Sequence, residues 1–174
     1  TVSLLGTATS AISNAQGHFT INNAPAGKQV LDIAPGTGQP APDGSFYGGF
    51  REAITLTGHV HNVVERPFFL PRIDAASVTP VNPNTTTTVT NPNLGVSIIV
   101  PAHTAKNPDG TDFIGNLSIS LVPRGLAPAQ LPPFLDPGLL VTIQPVGVVF
   151  ATPVPMTFPN LDHIPVGNDA DLWS

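Results

Sequence analysis

Proline and glycine interrupt this chain so often, 21 and 16 times in 174 residues, that few segments between them are long enough for a helix. The pieces left over are short runs in which Val, Ile and Thr recur, the residues and lengths of strands. Gly95-Val96-Ser97-Ile98-Ile99-Val100-Pro101 and Gly115-Asn116-Leu117-Ser118-Ile119-Ser120-Leu121-Val122 are the plainest of them. The expected class is all-β, and 41% hydrophobic residues supply enough side chains to bury a core.

The same punctuation divides the chain into two consecutive antiparallel β-sandwich modules, 1–72 and 73–174. Strands are expected at residues 2–5, 18–22, 29–34 and 53–64 of the first, with 35–49 as a turn-rich excursion across the surface. Arg66-Pro67-Phe68-Phe69-Leu70-Pro71-Arg72 reads as an extended connector whose two Phe rings plug the junction. In the second module, residues 80–93 form a ribbon rich in Pro, Asn and Thr that pairs at an edge through 85–90. Strands follow at 95–101, 115–122, 139–145 and 154–159, and Asp171-Leu172-Trp173-Ser174 reads as the start of another.

Gly17, Phe19, Ile21, Pro25, Gly27, Leu31 and Ile33 stand in the spacing G-x-F-x-I-x-x-x-P-x-G-x-x-x-L-x-I. That spacing resembles carboxypeptidase regulatory-like domains, a transthyretin-like fold. The order of strand ends and prolines over 94–174 resembles ZU5-like sandwiches, which follow transthyretin-like modules in large bacterial surface proteins and teneurin-type shell proteins. The resemblance implies a first module lacking its usual first strand, so that an open edge near residues 1–5 pairs with a neighbouring module or a second copy. It also implies a spacer in a longer secreted or cell-surface prokaryotic protein.

Several function classes fall away on composition. Charged residues make up 10% of the chain and the net charge is −5, so no basic stripe exists to follow nucleic acid or an anionic bilayer. No apolar run is long enough for membrane insertion. Cysteine is absent, which removes disulfides, thiolate zinc sites and thiol nucleophiles. Neither a Gly-x-Ser-x-Gly elbow nor a phosphate-binding glycine loop occurs. Three of the eleven acidic residues sit in the turn dipeptides Asp43-Gly44, Asp109-Gly110 and Asp136-Pro137, which are turn formers before they are acids.

One constellation carries chemistry. In Gly58-His59-Val60-His61-Asn62 the two histidines would share a face if the segment were a strand. Such a pair supplies two ligands to zinc, and His103 and His163 are the candidate additions. Asp162 or Glu65 would then orient a ligand or serve as the general base on metal-bound water. The plain alternative is a set of solvated side chains on a polar surface. Sequon triplets at Asn84 and Asn116 are acceptors only in a eukaryotic secretory route. His18-Phe19-Thr20 is similar to the cleavage point of autoproteolytic ZU5-containing proteins, but Phe19 is accounted for as a core residue. The sequence therefore favours a non-catalytic spacer, adhesion or assembly module with no cofactor. A small zinc hydrolase with its site at the module junction is the alternative.

Overall fold

The computed structural model describes residues 1–35, 46–127 and 137–169. Most of the expected excursion over 35–49, the turn at Asp43-Gly44, Asp136, and the expected strand start at 171–174 lie outside them.

Among the described residues the chain is all-β apart from two short turns of helix, and every strand pairing is antiparallel. Its strands are β1 (Val2–Leu4), β2 (Ser10–Ala11), β3 (Gly27–Ile33), β4 (Phe50–Leu56), β5 (Thr79–Val81), β6 (Thr87–Asn91), β7 (Val96–Val100), β8 (Ala105–Lys106), β9 (Gly115–Leu121), β10 (Val141–Gln144), β11 (Val149–Phe150) and β12 (Met156–Thr157). Two single-turn 3-10 segments at Ala75–Ser77 and Arg124–Leu126 are the helical content among the described residues.

The first sheet runs β2-β1-β3-β4. Its core face carries Val2, Leu4, Leu31 and Ile33, all buried. That face is covered by Phe19, Ile21 and Ala24 from the loop before β3, and by Phe68 and Leu70 from the connector. Residues 18–22 form no strand. Asn14 accepts the N–H groups of Gln16 and His18 and fixes a turn there, so Phe19 and Ile21 reach the core from a loop. The expected open edge near residues 1–5 is also corrected. The chain reverses after Leu4, through Gly6 at φ +78°, and β2 pairs Ala11 with Val2 and Ser10 with Ser3. The long edge of this sheet is β4 instead.

The second body of strands packs two sheets face to face, β10-β9-β5 and β12-β7-β6, beside the small β11-β8 pair. Val81, Val89, Val96, Ile98, Val100, Leu117 and Ile119 fill the space between them. Each such side chain is worth roughly 1.5–3 kcal/mol of burial, which makes this cluster the main store of stability. The opposite face of β9 is also buried but carries Ser118 and Ser120. Its partner is the turn at Ala75–Ser77. Ser77 Oγ accepts from Ile119 N–H at 2.9 Å and donates to Ile119 O at 2.7 Å, doing for one residue what a longer β5 would do.

Asp74 caps that turn. Its backbone N–H donates to Ser120 Oγ, and its carboxylate accepts from Ala76 N–H, Asn91 Nδ2 and Asn93 Nδ2. Burial pushes the Asp74 carboxyl up, but these hydrogen bonds together outweigh it and hold the group below its ordinary value.

Candidate functional site

The four candidate histidines stand on turns. β4 ends at Leu56, short of the expected 64, because Asn62 folds back on Thr57. Asn62 Oδ1 accepts the Thr57 N–H at 2.9 Å and its Nδ2 donates to the Thr57 carbonyl at 3.0 Å. His59 and His61 occupy the exposed tip of that turn, so the shared face that a strand would have given them does not exist. His103 sits in the turn between β7 and β8, and its Nδ1–H donates to Asp112 Oδ2 at 2.8 Å. His163 lies in the loop after β12, within a turn closed by two 2.8 Å bonds between the Asn160 side chain and the Ile164 backbone.

His59, His103 and His163 have φ of 60°, 59° and 52°, the left-handed region in which His, Asn and Asp are enriched among non-glycine residues. These histidines are turn formers. Among the described residues no group of three or more His, Cys, Asp or Glu is placed to hold a metal ion. Glu65 and Asp162 are exposed and join no such group. Asp112 is engaged by Lys106 and His103, whose hydrogen bonds hold its carboxyl below its ordinary value.

The place where the two bodies meet is built from other residues. Gln144, the last residue of β10, is 3% exposed. Its Oε1 accepts from the N–H groups of Gly49 at 3.0 Å and Val146 at 3.1 Å. Its Nε2 donates to the Gly49 carbonyl and to Thr142 Oγ1, both at 3.0 Å. All four hydrogen-bonding positions of the amide are thereby used. The fit depends on bare backbone opposite. A Cβ on Gly48 would sit 2.5 Å from Gln144 Cδ, and one on Gly49 would sit 2.6 Å from Val146 Cγ1. Nearby, the Arg51 guanidinium lies against Gly147 and its Nε donates to Asp32 Oδ1 at 2.6 Å. Two backbone bonds complete the seam: Gly48 N–H to Pro71 O, and Ile73 N–H to Phe46 O.

The expected Phe plug is corrected here. Phe68 packs into the first core, its ring centroid 6.4 Å from that of Phe50, and Phe69 points out. The junction is held by a buried amide against a glycine pair. The sequence signal was Phe46-Tyr47-Gly48-Gly49 ahead of a strand, where a glycine doublet marks a close backbone approach.

Beside this seam lies a cleft of about 770 Å³. Asp32, Arg51, Asn116, Ser118 and Gln144 provide its polar lining, and Pro35, Phe46, Tyr47, Ile73 and Val146 are among its apolar walls. Comparison of the chain with protein-family models, curated proteins and solved structures finds no match. Among the described residues, no helix is long and apolar enough to cross a membrane.

Proposed function

We propose that this chain is a non-catalytic spacer and assembly module of a larger extracellular protein, in which two β bodies are joined as one stiff piece. The observation that carries the reading is the Gln144 amide, buried and fully bonded between the two bodies. A flexible pair of domains has no use for a buried polar contact that needs bare backbone to form, because such contacts cost stability whenever they are half made. The resemblance of residues 17–33 to carboxypeptidase regulatory-like domains, and of 94–174 to ZU5-like sandwiches, supports the same reading and a prokaryotic surface location. The candidate histidines, spread over three turns with His59 and His61 sharing one, lend no support to a zinc hydrolase.

Backbone 15N relaxation tests stiffness directly. Amides of Leu31 and Leu117, one from each core, should report a single rotational correlation time. Two different times in the native chain would refute the spacer reading.

A further inference from the structure

We propose that the junction cleft is a binding site for a neutral carbohydrate. The inference is independent of the spacer reading, which concerns stiffness and not a ligand.

The cleft has the size of a small-ligand site, and its walls are the fixed seam between the two bodies. Its chemistry narrows the occupant in three steps. An added peptide strand would need free backbone rungs, yet the Gly49 N–H and carbonyl are both taken by Gln144. The Gly48 N–H and Phe46 carbonyl are likewise spent within the seam. Formal charge comes next. The one cation and the one anion in the lining, Arg51 and Asp32, are paired at 2.6 Å, so the cleft offers no net charge to an ionic ligand. What remains is a set of planar polar groups with capacity to spare. Arg51 lines the cleft and uses its Nε on Asp32, and its two terminal nitrogens, which lie against Gly147, have N–H donors to spare. Asp32 Oδ2 is an acceptor beside them, and the exposed Asn116 amide can both donate and accept.

Adjacent donors and acceptors on planar side chains match the spacing of neighbouring hydroxyls on a sugar ring. The apolar part of the same ligand has its counterpart in Phe46, a residue 63% exposed that lines the cleft, with Tyr47 next to it in the chain. An aromatic face stacks on the C–H face of a pyranose.

The test is an array of neutral oligosaccharides of hexoses and N-acetylhexosamines, with sialylated, sulfated and uronate glycans and proline-rich peptides alongside. Binding should fall on neutral glycans. Phe46→Ala and Asn116→Ala, both changes of exposed side chains, should each weaken it about tenfold, the loss of one stacking or hydrogen-bonding group. On the native chain, titration with the best glycan should move the amide resonances of Gly48, Asn116 and Val146, a readout that does not depend on any variant folding. Failure to bind any neutral glycan, preference for acidic glycans or peptides, or shifts centred elsewhere would overturn the proposal.

Discussion

Gln144 and Gly49 stand 95 residues apart in the chain, yet the Gln144 side chain meets both the N–H and the carbonyl of Gly49 at 3.0 Å. The amide acts as one rung of a β-ladder between two bodies that share no strand. Removing it in Gln144→Ala takes that partner from three backbone groups, the N–H and carbonyl of Gly49 and the N–H of Val146, and water recovers part of the loss. The expected cost is about 2 kcal/mol of unfolding free energy in urea.

Gly48→Ala attacks the same contact from the other side, because its Cβ would overlap Gln144 Cδ and Cγ. It should cost about 1–3 kcal/mol. In the double variant the clash has nothing to meet, so the combined loss should fall short of the sum by at least about 0.5 kcal/mol. Strictly additive losses would show that the glycine is not there for the amide.

The strands of the second body were legible in the sequence because Val96, Ile98 and Val100 alternate and because Leu117 and Ile119 face a full core. Less legible were the places where strands stop. β4 ends because Asn62 folds onto Thr57, β5 is extended by the Ser77 hydroxyl, and the loop after β12 is closed by Asn160 on Ile164. In each case a short polar side chain supplies the hydrogen bonds that a neighbouring strand would have made. Composition reveals that such residues are plentiful but not which backbone group each will reach. The shared face expected of His59 and His61 is missing for this reason: it required a strand through 59–61, and Asn62 had already ended it.

The exposed edge carries a charge that faces the core. Glu52 lies opposite Leu31 in the β3–β4 register, so it shares the core face with Phe50 and Ile54. It is held there by Arg66, whose Nη2 lies 2.9 and 3.0 Å from its two oxygens. An inward charge on a seven-residue edge strand opposes pairing with another chain. Glu52→Val should therefore produce concentration-dependent dimers in size-exclusion chromatography. Arg66→Ala, which keeps the charge and removes its partner, should stay monomeric and lose about 1 kcal/mol. A monomeric Glu52→Val at high concentration would show that the edge is guarded by something else.

Acid should loosen the capped turn at Ala75–Ser77. The Asp74 carboxyl titrates below its ordinary value of 3.8 in the folded chain, so the unfolded chain takes up the proton first. Its contribution is complete above 3.8 and is lost as pH falls through the lowered folded value. Asp112, held down by Lys106 and His103, adds a loss of the same sign over the same acid range. Asp74→Ala should be less stable at neutral pH by about 1 kcal/mol, the loss of a cap. Its stability should also fall less steeply below about pH 4. Parallel pH profiles for the two proteins would remove Asp74 from the account.

The histidines offer the sharpest separation between a turn and a ligand. A residue held at positive φ for its backbone gains from glycine, which adopts that region without a Cβ penalty of about 1–2 kcal/mol but brings a more flexible unfolded chain. His59→Gly and His163→Gly should therefore lie between neutral and about 1 kcal/mol more stable, while His59→Val, β-branched and unsuited to φ of 60°, should be less stable by a similar amount. His103→Gly should gain less than the other two, because it also gives up the hydrogen bond to Asp112. A metal ligand behaves in the opposite way. Zinc bound by the folded chain alone would raise the melting temperature, and each histidine removed would lower that gain. One equivalent of zinc is expected to leave the melting temperature of the native chain where it was. A rise that disappears in His59→Gly would return these residues to the role their spacing first suggested.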